Sequence, residues 1–154
     1  MRTFWPSTWR PPKSDTNGAF LLDRSLRRVQ LPQLLRDDGW ELHTLAEVFG
    51  VPKDETVSDV EWLTLAGANG WPVLMKDQRI RYRSAEVGAL IDSSVRAFVL
   101  TSRNLTAREM ARAFITHKSR IHAEALKPGS ALFTVTTTSI REIDLSAYES
   151  RGYL

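Results

Sequence analysis

With 154 residues the chain has room for one domain with a proper hydrophobic core, since a chain of this size buries roughly 70% of its unfolded surface, and no room for a second catalytic domain. Apolar residues at 42% and charged residues at 25% exclude a wholly disordered chain, while 21 basic against 18 acidic residues permit polyanion binding without resembling a histone-like or membrane-coating protein. The absence of cysteine excludes disulfides, thiolate zinc sites and cysteine nucleophiles.

Residues 1–18 hold three prolines, two tryptophans (Trp5 and Trp9) and a turn-like Lys-Ser-Asp-Thr-Asn-Gly run without helical or strand periodicity, and read as an arm. The start of the chain lacks the apolar stretch of a signal peptide, and no later segment approaches the roughly 20 apolar residues of a membrane span. The expected location is therefore the cytoplasm, without membrane contact.

Ala19 to Leu22 is an apolar run that stops abruptly at Asp23, as a buried strand entering a loop does. Leu31, Leu34 and Leu35 at helical spacing, Pro32 in the first turn and Gly39 as a left-handed stop predict a short helix. Trp40 to Leu45 alternates in the manner of a strand, and Gly50 to Val57, with Pro52 and several charges, reads as a loop. Ser58-Asp-Val-Glu61 is a capping box that opens a helix through Trp62, Leu63, Leu65 and Ala66 to a stop near Gly70.

Trp71 to Met75 is apolar but too short for a helix between Gly70 and the polar Lys76-Asp77, which makes it a buried strand. A helix near Ala85 to Ile91 precedes the β-branched run Val95 to Leu100. A second capping box, Thr106 to Glu109, opens a long amphipathic stripe of Met110, Ala113, Phe114, His117, Ile121 and Ala125 that ends at Pro128-Gly129. Leu132 to Leu145 reads as a strand pair.

Strands alternating with helical patterns from Phe20 to Lys127 predict an α/β fold, a parallel sheet covered by helices on both faces with right-handed crossovers. The expected organisation is an arm over 1–18, one α/β domain over 19–127, and a C-terminal strand pair and tail over 128–154 packed on that domain. No internal repeat interrupts it.

In open parallel sheets ligands gather at the carboxyl ends of the strands, where Asp23 and Asp77 both fall. Each alone is more readily a cap on the next helix. Asp59 is more telling, because Trp62, Leu63 and Ala66 follow it at helical spacing and set it on a core-facing stripe, where a carboxylate needs a partner. Glu61 is accounted for by its capping box. Two carboxylates about 4 Å apart repel by roughly 4 kcal/mol at an effective dielectric constant of about 20, or about three pK units. A divalent ion such as Mg²⁺ or Mn²⁺ removes that conflict, taking oxygen ligands and completing its shell with water.

Phe20-Leu-Leu-Asp23-Arg-Ser25, Asp59-Val-Glu-Trp-Leu-Thr-Leu-Ala66 and Gly70-Trp-Pro-Val-Leu-Met-Lys-Asp77, in this order and spacing, resemble the PIN-domain framework. The chain is most similar to compact PIN-like proteins related to the VapC toxins of bacterial toxin–antitoxin pairs, over about Phe20 to Leu126. The resemblance implies a three-layer α/β/α ribonuclease with a mainly parallel sheet, in which Asp23, Asp59 and Asp77 hold one or two Mg²⁺ or Mn²⁺ ions. It implies metal-assisted hydrolysis of RNA to a 5′-phosphate and a 3′-hydroxyl, a cognate antitoxin protein and, by analogy, a homodimer. Glu47 is similar to the helix-borne glutamate many such toxins add.

Two departures stand out. Met75 replaces the Thr or Ser frequent two places before the last aspartate, and Arg79-Ile80 follows where another acid is usual. They motivate a competing reading, a catalytically weak or inactive PIN-like module that binds RNA or a partner protein.

Basic residues flank both strand-end aspartates: Arg24, Arg27 and Arg28 after Asp23, and Lys76, Arg79, Arg81 and Arg83 around Asp77. Arg24, Ser25, Lys76, Arg79 and Asn104 are the candidate RNA contacts, set against the plainer readings of a solvated charged face, a helix start at Ser25 and a turn former at Asn104. His117 and His122 lie five apart, one more than two ligands on one helical face require, and His43 stands alone; all three read as structural. Neither a Gly-x-Ser-x-Gly elbow nor a Gly-rich phosphate loop is present.

Overall fold

The computed structural model describes residues 18–23, 26, 30–76, 84–102 and 104–146, so the expected arm, Asp77, Arg24, Ser25, Arg79 and the end of the tail lie outside the described residues. Six strands form one sheet: β1 (Ala19–Leu22), β2 (Glu41–Thr44), β3 (Val73–Met75), β4 (Arg96–Leu100), β5 (Ala131–Val135) and β6 (Ile140–Ile143), in the order β2-β1-β3-β4-β5-β6. The first five run parallel, and β6 returns antiparallel to β5. The C-terminal strand pair thus continues the main sheet, through Phe98 aligned with Phe133.

Every residue of β1 is buried, as a strand packed on both faces requires, and this explains its unbroken apolar run. Alternation then divides the core. Ala19 and Leu21 of β1, with Val73, Ala97 and Leu132, pack beneath α2 (Leu45–Phe49), α3 (Asp59–Asn69) and α4 (Ser84–Asp92). Phe20 and Leu22, with Leu74, Phe98 and Phe133, pack beneath α1 (Gln30–Asp37), α5 (Ala107–Thr116) and α6 (Lys118–Ala125). Helices on both faces of the sheet make the three-layer α/β/α architecture.

Local chemistry sets the helix ends. The Ser58 hydroxyl accepts from the Glu61 N–H at 3.1 Å to open α3, and Gly70, at φ 68°, closes it by donating to the carbonyls of Ala66 and Gly67. Thr106 and Glu109 complete the second capping box reciprocally. Among the described residues no helix is long and apolar enough to cross a membrane.

Two expectations change. The strand expected to run to Leu45 ends at Thr44, because Thr44 caps α2 and forms a capping box with Glu47. The long stripe after Thr106 is two helices divided at His117, whose ring Nε2 lies 3.0 Å from the Thr136 carbonyl and whose backbone turns to φ −104°, ψ 17°. The five-residue spacing of His117 and His122 is therefore not measured along one helix.

Candidate active site

β1 sits between β2 and β3, so the chain leaves β1 toward one side of the sheet and later returns on the other. That reversal opens a crevice at the carboxyl ends of β1 and β3. Asp23 stands there, with only 6% of its surface exposed, its N–H donating to the Leu74 carbonyl of β3 at 3.0 Å and its carbonyl accepting from Leu26 at 2.9 Å. Burial in the two strands fixes the backbone that presents this carboxylate.

Glu47 of α2 lines a cleft with Asp23 on the other side of β1, at the ends of β1 and β2. Thr44 donates its N–H to Glu47 Oε1 at 2.8 Å while the Thr44 hydroxyl accepts from the Glu47 N–H at 3.2 Å, which holds a helix of only five residues in place. Arg36 of α1 donates Nη2 to both carboxylate oxygens, at 2.8 and 3.0 Å, and to the Leu42 carbonyl at 2.9 Å. Burial pushes the Glu47 carboxyl up, but the Thr44 N–H and the Arg36 guanidinium together outweigh it, so Glu47 titrates below the ordinary glutamate range.

A third carboxylate was not singled out in the sequence. Asp54, in a 3-10 turn over Lys53–Glu55, is 9% exposed and joins Asp23 and Glu47 in lining a cleft of about 330 Å³, together with Gln33, Arg36 and Thr44. Its neighbourhood reads as a charged loop, and no periodicity betrays a buried acid within a single turn. Glu47, by contrast, carries a visible signal, the Thr-x-x-Glu spacing of a capping box.

The other expected residues take the following places. Asp59 is the first residue of α3, partly buried, and its Oδ1 accepts from the Trp62 indole N–H at 2.9 Å; the partner its core-facing position demands thus lies in its own helix. It is not among the residues lining the cleft around Asp23. Because α3 leads back to the start of β3, its N-terminus belongs to the same carboxyl edge of the sheet. Lys76 follows β3 at that edge, partly buried. Asn104 is exposed at φ 58°, a left-handed turn position just before the Thr106 cap, in keeping with its turn-former reading. Glu61 meets the Ser58 hydroxyl through its own N–H at 3.1 Å and its Oε1 at 3.4 Å, which is half of the expected capping box.

The histidines hold structural positions. His43 stacks on Trp71 with ring centroids 4.4 Å apart, and burial lowers its pKa. His122 meets Trp40 and Phe20 edge-on, at 4.6 and 5.1 Å.

Whether a divalent cation fits is a question of donors. Asp23, Glu47 and Asp54 offer carboxylate oxygens alone, the ligand type of a hard cation such as Mg²⁺ or Mn²⁺. Among the described residues, however, no three acidic or histidine side chains are grouped to hold an ion. The donor chemistry fits, while the described carboxylates alone do not form such a group.

A strand-end carboxylate in a sheet of this order agrees with a comparison by sequence: the profile of the PIN-like domain matches residues 19–102, more than half of the chain. The chain belongs to the PIN-like domain family. It is also similar to the candidate ribonuclease VapC45 of Mycobacterium tuberculosis (strain ATCC 25618 / H37Rv), at 34% identity over 119 residues, 77% of this chain and 86% of the relative. No solved structure matches it. The PIN-like segment contains Asp23, Glu47, Asp54, Asp59, Lys76 and Asp77, whereas Asn104 and the β5–β6 pair lie beyond it.

Proposed function

We propose that the chain is a divalent-metal-dependent endoribonuclease and the toxin of a toxin–antitoxin pair. The observation that carries this reading is the buried Asp23 carboxylate at the end of β1, beside the strand-order reversal, in a cleft shared with Glu47 and Asp54. The ribonuclease named among its relatives supports it. Asp23, Asp59 and Asp77 are the residues assigned to hold Mg²⁺ or Mn²⁺, with Glu47 adding charge from α2.

When bound, such an ion activates water and steadies the charge of an in-line displacement at phosphorus. The chain's own residues provide position. Asp23 is immobilised by its backbone bond to Leu74, and Glu47 is kept ionised and oriented by Thr44 and Arg36. Arg24, Ser25, Lys76, Arg79 and Asn104 remain the assigned RNA contacts. A small antitoxin protein covers the acidic cleft, and the protein works in the cytoplasm as a homodimer.

The test is cleavage of a mixed RNA pool in Mn²⁺ by the wild type beside Asp23→Asn and Asp59→Asn, with the cut sites mapped. Cleavage that a chelator stops, and that either substitution lowers more than about a hundredfold, supports the reading. Mn²⁺ at about 100 times its dissociation constant should add about 2.7 kcal/mol of stability, most of it lost in Asp77→Asn. A wild type with neither cleavage nor Mn²⁺ stabilisation is instead the inactive module.

A further inference from the structure

The cleft around Asp23 has one cationic side chain among its described lining residues, Arg36 of α1. A phosphodiester entering this cleft meets three carboxylates, Asp23, Glu47 and Asp54, and is repelled by each of them. The divalent ion assigned to the site offsets two of those charges, and a positive group at the cleft wall offsets the third.

Arg36 has the geometry of such a group. Its bonds among the described residues all run through Nη2, to the Leu42 carbonyl and the two Glu47 oxygens, so one corner of the guanidinium is tethered by three acceptors. The side chain nevertheless retains 36% exposure. A planar guanidinium fixed at Nη2 keeps Nη1 and Nε as donors in a set orientation, and a donor ordered in advance loses less freedom on binding.

We propose that Arg36 contacts a phosphate of the bound RNA, with Glu47 and the Leu42 carbonyl holding its guanidinium ready for that contact. The assignment rests on the ribonuclease reading above and extends it to a residue outside the expected contacts. Glu47 then acts twice, as an acid of the site and as the anchor of the substrate-binding cation. The contact is to the sugar–phosphate backbone, so it adds affinity without selecting bases.

The test compares wild type, Arg36→Gln and Arg36→Lys on single-stranded RNA of mixed sequence. Cleavage is followed in Mn²⁺, binding by fluorescence anisotropy in Ca²⁺ over a range of salt, and folding by thermal melts. Arg36→Gln should raise KM about tenfold and reduce the salt slope of binding by about 0.7, with any fall in kcat from a loosened Glu47 accompanying these changes rather than replacing them. Arg36→Lys should keep the wild-type slope while losing part of the affinity, and it carries the test if the glutamine variant does not fold.

A fall in kcat with KM and slope unchanged would overturn the assignment, because Arg36 would then only position Glu47. A wild type that neither binds nor cleaves the RNA overturns the ribonuclease reading itself. If the wild type cleaves, Asp23→Asn does not, and Arg36→Gln keeps the wild-type KM and slope, only the Arg36 contact is lost.

Discussion

Gly67→Ala sets helix propensity against packing, and the structure decides between them. Alanine is worth about 1 kcal/mol over glycine inside a helix, so propensity alone predicts a more stable protein. A Cβ at Gly67, however, would lie 2.6 Å from the Ser93 Cβ and closer still to the Ser93 carbonyl oxygen, just beyond the end of α4. Ordinary carbon contacts begin at about 3.5 Å, so α3 and α4 would have to part by roughly 1 Å. The obstructing oxygen is backbone and cannot rotate away, which puts the overpacking cost near the top of its usual range, about 3 kcal/mol. The net loss is about 2 kcal/mol, or a fall in Tm of about 4–8 °C for a chain of this length. Thermal and urea unfolding measure it, and an unchanged or higher Tm would refute the close approach of α3 to α4. The contact matters beyond stability, since α3 carries Asp59 at its other end.

Two further predictions concern charges. Glu47 is held below the ordinary glutamate range, so its contribution to stability should be complete above that range and disappear as pH falls through the lowered value; wild type and Glu47→Gln should differ in Tm near neutrality and converge in acid. The pair with Arg36 is about half exposed, which keeps the difference below about 1 kcal/mol, and a gap that widens in acid would contradict the assignment. Arg96 of β4, 9% exposed, donates to Glu124 at 3.2 Å and to the Pro128 and Gly129 carbonyls. Glu124→Ala should cost about 2 kcal/mol, less than a fully buried pair because the two carbonyls remain, whereas Arg96→Met should cost less because Lys127 stays 3.1 Å from Glu124. Chemical denaturation of both variants checks the order, and the reverse order would mean that the buried charge is not what makes the pair matter.

Much of the fold was legible because its signals are local. β1 is packed on both faces and reads as an unbroken apolar run, and α3 is bounded by a Ser58 cap and a left-handed Gly70, each recognisable from residue type. The misread elements are those whose cause is tertiary or very short. The apolar stripe continues through His117, so periodicity gives no hint of the break, which coincides with a contact to Thr136, 19 positions away in the chain. α2 has five residues, too few to show a helical period against the strand alternation before it, and only its capping box marks it.

The site was legible in part for the same physical reason. A carboxylate closing an apolar strand marks Asp23, since a buried strand must end where its polar edge begins, and the sheet order then makes that end a crevice. Which acids line the cleft with Asp23 depends on β2 lying beside β1, a pairing between Leu21 and His43 that no single segment encodes. That pairing carries α2 and the following turn to the end of β1, bringing Glu47, Asp54 and Arg36 into one wall although only Glu47 was singled out beforehand, through resemblance. Asp59 shows the converse: its position on the inward stripe of α3 was legible, but the partner meeting it is the Trp62 indole three residues on. The Trp62 contact orients Asp59 at the opening of α3, on the carboxyl edge of the sheet where Asp23 also stands.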